Sequence, residues 1–364
     1  MAANDKFMGW VADGPDSVKG NLTFKEFTPK NWTETDIELD VIACGVCASD
    51  IHTMRNGWGP ADFPTVVGHE IVGKVTRVGK EVDDPIQVGD VVGIGAITDS
   101  CRKCELCRSD RQSYCHVGAT NTYQGNYPDG SGKSMGGYAL KWRGSAYLAI
   151  KIPDGLDPAL AAPIMCGGAT AYSPLRDYGV GGPDGKRVAI IGIGGIGAFG
   201  IAFAKALGAT DIVAISSTAS KKQEALKLGA TDFVAWKDEG DEASKKYNRF
   251  FDVILNTAAN TASPFDKYVM MCRPRGHVVN IAAPEGPWPA IPAWPILFSG
   301  ANIGGSAVAG KAQLKEMLEM VRDKKPELMI EKRSLKDTNQ VVQDMVAGKP
   351  RFRYVLVNDE APAA

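Results

Sequence analysis

Short alternating apolar runs, broken by glycine and proline, fill the first 160 or so residues. Ile71 to Val78 and Val88 to Ile94 are of this kind, and Pro60, Pro64, Pro85, Gly89 and Gly93 punctuate them. A period of two between turn formers predicts strands, and their uneven spacing predicts an irregular β-rich domain. From Arg187 the pattern changes. Val188 to Gly192, Ile196 to Leu207, Ile212 to Ser216 and Ser220 to Leu228 alternate strand-length apolar runs with stretches of helical period. That alternation predicts βαβ units on a parallel sheet, so the fold class is α/β with a second, β-rich domain. Further strands are predicted at Asp252 to Asn256 and His277 to Ala282. Between them lies a helix from Pro264 to Cys272, stopped by Arg273-Pro274-Arg275-Gly276. Ala283 to Pro295 reads as an extended proline-rich loop, Lys311 to Asp323 and Asp337 to Val346 as helices, and Phe352 to Val357 as a closing strand.

Length adds that 364 residues suit about two domains. Charge narrows the partners. With 41 Lys+Arg against 42 Asp+Glu, the net charge of -1 offers no basic excess for phosphates, which argues against nucleic acid and anionic membranes. The longest uncharged apolar run, Val188 to Ala204, is interrupted by glycines and falls short of the about 18 residues a membrane span needs. Met1 to Lys19 carries Asp5, Lys6, Asp13 and Asp16 without an apolar core, so no secretory signal is expected and the cytoplasm is the expected compartment. Eight cysteines in a reducing compartment point to metal binding rather than disulfides.

Three constellations carry chemistry. Gly192-Ile-Gly194-Gly195-Ile196-Gly197 is a G-x-G-x-x-G run after a strand and before a helix, the arrangement that brings a pyrophosphate to backbone amides. About 20 residues on, NAD binders carry an acidic residue, whereas this chain has Ser216-Ser217-Thr218 followed by Lys221-Lys222. Small hydroxyls and a cation suit a 2′-phosphate, which predicts NADP(H). The alternative is that Ser220-x-x-Gln223 only caps the following helix and the lysines are a solvated face. The second constellation is Cys101-x2-Cys104-x2-Cys107-x7-Cys115, whose spacing suits a closed, structural zinc site. A nucleic-acid zinc module would need the basic aromatic surface that is missing. The third is dispersed: Cys47, His69 and Cys166 would leave a fourth zinc position open, although spacing alone does not show that they converge.

The order of these motifs resembles one family. Gly68-His69-Glu70-x2-Gly73-x5-Gly79, the Gly-Val-Cys47-x-Ser-Asp box, the four-cysteine loop, Cys166 and the NADP-type Rossmann unit look like the zinc-containing medium-chain alcohol dehydrogenases. Cys166-Gly-Gly-Ala-Thr170-Ala-Tyr-Ser-Pro-Leu175, Ser216-Ser217 and Arg351-Phe-Arg353-Tyr resemble the cinnamyl alcohol dehydrogenase branch. The resemblance implies a GroES-like catalytic domain of residues 1–166 and 308–364, and a Rossmann domain of residues 167–307. It also implies a catalytic zinc on Cys47, His69 and Cys166, with Glu70 as an alternative ligand, and a structural zinc on Cys101, Cys104, Cys107 and Cys115. Asp50 would receive the far N–H of His69. Ser49 and His52 match the proton relay, Thr170 a residue beside the nicotinamide, Thr257 and Ser306 the cofactor cleft, and Arg353 a pyrophosphate contact. Ala48 departs from the basic residue many relatives carry there, which leaves more of the pyrophosphate to Arg353 and the glycine loop.

Trp58, Trp294 and Phe298 fall near segments that line the family's substrate channel, and an aromatic channel would favour aromatic or allylic aldehydes. Equally, these rings could be core or subunit-contact residues. Cys44, Cys272, His116 and His277 belong to no motif and read as structural filler. The expected reaction is the reversible, NADP(H)- and zinc-dependent interconversion of primary alcohols and aldehydes. Alternatives keep the fold but change the substrate to a secondary alcohol, polyol or iminium, or remove catalysis and leave an NADPH-binding zinc protein. A homodimer is expected from the resemblance and from the apolar Ile291 to Phe298 segment.

Overall fold

The computed structural model describes residues 5–260, 263–288 and 290–361. Met1 to Asn4 of the N-terminal segment and Pro289 of the proline-rich segment lie outside the described residues. The chain divides into two compact units. One comprises Met1–Cys166, Ala309–Arg322 and Ile330–Ala364, the other Gly167–Val308 and Asp323–Met329.

The first unit is built on a seven-stranded sheet. Along its path run Ile330–Ser334, Arg353–Val357, Asp36–Gly45, Ile71–Val78, Val91–Ile94 and Ile150–Lys151, with Lys141–Ser145 pairing to Asp36–Gly45 off that path. Its core packs Ile37, Leu39, Ile71, Val75, Ile94, Tyr138 and Trp142, all buried, against the strands. Register is what matters for chemistry. Antiparallel pairing sets Cys44 opposite Ile71 and Val355 opposite Gly45. The residues just before Ile71, just after Gly45 and around Arg353 are therefore carried to one end of the sheet.

The second unit holds a six-stranded, all-parallel sheet. Its order is Asp232–Ala235, Asp211–Ser216, Arg187–Ile191, Phe251–Asn256, Cys272–Asn280, Asn302–Gly305. This is the doubly wound order in which the first strand sits at the centre and the chain reverses direction across it, leaving a crevice at the carboxyl ends of the strands. The central strands are buried throughout Val188–Ile191 and Phe251–Asn256, as a sheet covered on both faces requires.

Two departures from the sequence reading have physical causes. The helix expected before Arg273-Pro274-Arg275-Gly276 is present as Phe265–Met271 and ends there, but the four residues form a bulge inside strand Cys272–Asn280 rather than a turn between elements. Phe251 pairs with Cys272 and Val253 already with His277, while Arg275 adopts φ +65°. The proline-rich stretch is not loop throughout, because Ala293–Ser299 is a helix with Pro295 in its first turn. Proline is tolerated there, since the missing N–H has no intrahelical acceptor in any case. Among the described residues no helix is long and apolar enough to cross a membrane.

Candidate metal centres and cofactor site

Cys47, His69, Glu70 and Cys166 each offer one ligand atom, and these atoms lie within 4.8 Å of one another. Three local devices bring them together. Cys47 is the N-cap of helix Ala48–Met54, its thiol facing the N3 amide while the Asp50 carboxylate accepts from the Cys47 N–H at 3.0 Å. His69 and Glu70 immediately precede the neighbouring strand Ile71–Val78, tied in by the bond from Gly45 N–H to the Glu70 carbonyl at 2.8 Å. Glycine at position 45 leaves room for the Glu70 carboxylate, since a Cβ there would sit 2.0 Å from Glu70 Oε2 and would push it aside. Cys166 lies on a π-helical turn, Ile164–Gly168, which follows helix Pro158–Pro163. Such wide turns are frequent at functional sites because they re-aim a side chain.

All four residues are buried, and His69 Nε2 is a buried ring nitrogen with no hydrogen-bond partner. An orphaned imidazole nitrogen beside two thiols and a carboxylate is the donor set of a transition-metal site, and zinc suits it. The charges agree. Cys166 and the His69 ring hold the Cys47 thiol well below the ordinary thiol range. Burial opposes a charge on His69, yet Cys47, Asp50 and Glu70 raise its imidazole to about 9. Burial lifts Glu70 to about 7 despite Arg353, whose guanidinium is ion-paired with it. A buried concentration of acids against one arginine favours a bound dication.

Asp50 is fully buried and accepts from Cys47 N–H, Gly68 N–H at 3.1 Å and the Tyr138 hydroxyl at 3.0 Å. Its carboxylate approaches His69 Nδ1 only to 3.8 Å. The Nδ1 atom is instead hydrogen-bonded with the Tyr123 hydroxyl at 3.1 Å, and the two rings stack at 5.3 Å. Tyr123 is itself hydrogen-bonded to Asp50, so the orientation of His69 is set by tyrosine and carboxylate together. Sequence reasoning does not reach Tyr123 or Tyr138, since isolated tyrosines carry no periodic or spacing signal. Ser49 Oγ lies 3.4 Å from Cys47 Sγ. His52 stands on the same helix, stacked on Trp58. Arg353 is 6% exposed and bonded to Glu70.

The second cysteine cluster is just as compact. Cys101, Cys104, Cys107 and Cys115 have sulfurs within 4.8 Å of one another, with pairs at 3.5, 3.8 and 4.0 Å. A tetrahedral ion about 2.3 Å from each sulfur needs S···S separations of about 3.8 Å, so the four thiols fit zinc with no open position. Backbone N–H groups of Cys107 and His116 bring the Cys104 thiol down to about 6, whereas burial pushes Cys107 up to about 12. None of the eight cysteines forms a disulfide.

This loop also anchors a helix within its unit. The Asp110 carboxylate accepts from Ala312 N–H at 2.9 Å and Gln313 N–H at 3.1 Å, capping helix Lys311–Lys324. Gly310 permits the approach, since a Cβ there would sit 1.9 Å from the Asp110 carbonyl. Asp110→Ala is expected to lower the unfolding free energy by about 1–2 kcal/mol, the loss of a good helix cap, read from the urea midpoint. An unchanged midpoint would show that the cap contributes nothing.

In the second unit the glycine loop takes a strained course. Gly192 has φ +85°, and a Cβ on Gly197 would lie 1.9 Å from the Gly192 carbonyl, so both require glycine. A Cβ on Gly194 would meet nothing within 4 Å. Gly195 and Ile196 open helix Gly195–Leu207, whose first amides have no intrahelical acceptor, and the room before them suits a pyrophosphate. Thr257 clips the loop in place, donating to the Ile191 and Gly192 carbonyls at 3.0 and 2.6 Å. Ser216 ends its strand, Ser217 is exposed, and Lys221 Nζ reaches back to the Ile193 carbonyl at 2.9 Å. A hydroxyl pair and a cation thus flank the loop. The capping alternative places the helix start one residue early: helix Lys222–Leu228 has Lys221, not Ser220, at its N-cap, without a side-chain cap bond. Thr170 is buried in helix Ala169–Asp177, and Ser306 N–H donates to the Asn280 carbonyl at 3.1 Å. Trp294 and Phe298 stack on each other and are 67% and 61% exposed.

Residues 33–154 match the alcohol dehydrogenase GroES-like domain and residues 195–323 the zinc-binding dehydrogenase domain. An 8-hydroxygeraniol dehydrogenase of Catharanthus roseus is 35% identical over 352 residues, covering 96% of this chain and 94% of its own. The chain belongs to the zinc-containing medium-chain alcohol dehydrogenases. Within that family, an NADP-dependent alcohol dehydrogenase of Saccharomyces cerevisiae is 34% identical over 98% of both chains. A solved cinnamyl alcohol dehydrogenase of Sorghum bicolor superposes with a TM-score of 0.90 at 30% identity, covering 99% of each chain. As a cinnamyl alcohol dehydrogenase-like member, the protein is an oxidoreductase acting on CH–OH groups, and its two clusters are compatible with two zinc ions.

Proposed function

We propose that this alcohol dehydrogenase uses zinc and NADP(H) to interconvert primary alcohols and aldehydes, with aromatic or allylic substrates preferred. The observation that carries the reading is the buried Cys47, His69, Cys166 and Glu70 set with its orphaned Nε2. Zinc bound there supplies a Lewis acid for the substrate oxygen, and NADPH at the glycine loop supplies the hydride.

The chain's own residues do the rest. Cys47, His69 and Cys166 hold the ion. Tyr123 and Asp50 hold the His69 ring so that Nε2 faces the two thiols rather than turning away. Glu70 is kept beside the set by Arg353. Ser49, the second residue of the helix that Cys47 caps, offers a hydroxyl that can hold and pass a proton beside the ligand sulfur, with His52 further along the same helix as the outer station. Gly194, Gly195, Ile196 and Gly197 bind the pyrophosphate, and Ser216, Ser217 and Lys221 take the 2′-phosphate. Thr170, Thr257 and Ser306 line the nicotinamide side. Trp58, Trp294 and Phe298 are proposed for the substrate side, where their faces would favour flat substrates.

The test is the initial rate of cofactor oxidation across aldehydes from acetaldehyde to cinnamaldehyde, with NADPH and NADH in parallel. Fast turnover of cinnamaldehyde with NADPH supports the proposal. Silence with both cofactors would overturn it.

The homodimer is part of the same proposal. Among the described residues, strand Asn302–Gly305 ends its sheet with a single neighbour and all four residues exposed, and it follows a helix that exposes Trp294, Leu297 and Phe298. An open, apolar-flanked edge is a template for a second copy. The protein is expected to sediment as a dimer at micromolar concentration, and Ile303→Pro, which removes one edge N–H, as a monomer. A wild-type monomer mass would refute the pairing.

A further inference from the structure

We infer that Arg55 is a positioning residue for His52 and fixes its neutral ring as the tautomer with the proton on Nε2. The inference rests on the reading of His52 as the outer station of the proton relay. Helix Ala48–Met54 carries His52 in its last turn, and Arg55 is its C-cap, so the two side chains lie three residues apart on one face. Arg55 Nη2 stands 3.1 Å from His52 Nδ1. A guanidinium has donors and no acceptor, and it keeps its proton in proteins. In this contact Arg55 can only donate, so Nδ1 must present its lone pair. A neutral imidazole with a lone pair on Nδ1 carries its single proton on Nε2.

A second contact keeps the ring from undoing this. The Trp58 side chain lies over His52 with centroids 4.6 Å apart and planes at 26°. The chain reverses to put it there: Asn56 adopts φ +59°, and Gly57 N–H donates to the His52 carbonyl at 2.8 Å. A half-turn of the imidazole, which would exchange Nδ1 with Cδ2, must break both the stack and the guanidinium bond on the way.

The consequence for the relay is directional. During aldehyde reduction the ring gives its Nε2 proton inward while Nδ1 takes up, through water, the one bulk-solvent proton that the reduction consumes. One N–H bond breaks, one forms, and the ring stays neutral throughout. Nδ1 is open to water only when the exposed Arg55 side chain turns aside, so the arginine controls when the station reloads. The ring resets when the Nδ1 proton is exchanged through water for one on Nε2.

The test is the tautomer itself, read by long-range proton–nitrogen correlation spectra of the full-length, zinc-loaded, 15N-labelled protein. The chain has only four histidines, and His52→Asn identifies the signals in question. At a pH where the ring is neutral, Nδ1 is expected to resonate as an unprotonated nitrogen and Nε2 as a protonated one. Arg55→Met should move both toward a mixed population, and Arg55→Lys, which keeps a donor, should move them back. A wild-type ring protonated on Nδ1, or an Arg55→Met spectrum identical to wild type, would overturn the inference. None of these readings depends on turnover. Failure of the relay reading would appear separately, as a Ser49→Ala turnover number equal to that of wild type.

Discussion

Cys166→Ser is expected to lower bound zinc from two ions per chain to one and to reduce turnover by about three orders of magnitude. The serine hydroxyl stays protonated at neutral pH, so the substitution removes an anionic, soft ligand from a set whose one other thiol is Cys47. The position is buried on its π-helical turn, where a lost ligand is not made good by a neighbour sliding in. A Lewis acid on the substrate oxygen contributes several kcal/mol of charge stabilisation, and about 4 kcal/mol corresponds to roughly a thousandfold in rate. The four-cysteine lobe serves as an internal control, because its ion should remain. Metal analysis alongside initial rates decides the matter. A variant that retains both ions and its rate would remove Cys166 from the ligand set.

Ser217→Asp is expected to lower kcat/KM for NADPH by about a hundredfold while changing that for NADH by no more than a few-fold. Ser217 is exposed just beyond the strand end at Ser216, a few residues before the Lys221 that reaches back to the glycine loop. A carboxylate there meets a phosphate of like charge and also competes for the Lys221 ammonium. Hydrogen bonds to charged groups contribute about 1.5–3 kcal/mol, and the loss of one at that scale corresponds to roughly 10- to 150-fold. NADH carries no 2′-phosphate and should not register the change as repulsion. Steady-state kinetics with both cofactors gives the ratio directly, and equal losses would show that these hydroxyls do not face the phosphate.

How far the sequence discloses each of these parts differs for physical reasons. The glycine loop is legible because its glycines answer steric demands that no other residue meets: the positive φ of Gly192, and the contact of Gly197 with the Gly192 carbonyl. The four-cysteine loop is equally legible, since all its ligands lie within one short segment and spacing alone constrains them. The dispersed ligands are another matter. Cys47, His69 and Cys166 meet only through strand register and a π-helical turn, and neither leaves a periodic trace, so a family resemblance has to stand in for geometry. Tyr123 and Tyr138 leave no signal, because a tyrosine that orients a histidine looks in sequence like one that fills a core. Arg273 to Gly276 reads as a stop although the strand runs through it, because a bulge and a turn use the same residues. Helix Ala293–Ser299 hides behind its proline, which breaks a helix from the interior but not from the first turn.

The double duty of Cys47, ligand and helix N-cap at once, bears on which elements the centre can be persuaded to accept. Any exchange at this position must satisfy a metal and a helix together. Of the side chains that commonly bind metals, aspartate is also among the best N-caps. Cys47→Asp therefore leaves the helix that carries Ser49, Asp50 and His52 with a start, while shifting the coordination toward oxygen and toward harder ions than zinc. Cys166 starts no such helix and carries no such condition. Position 47 thus admits aspartate as an exchange that serves ion and helix together.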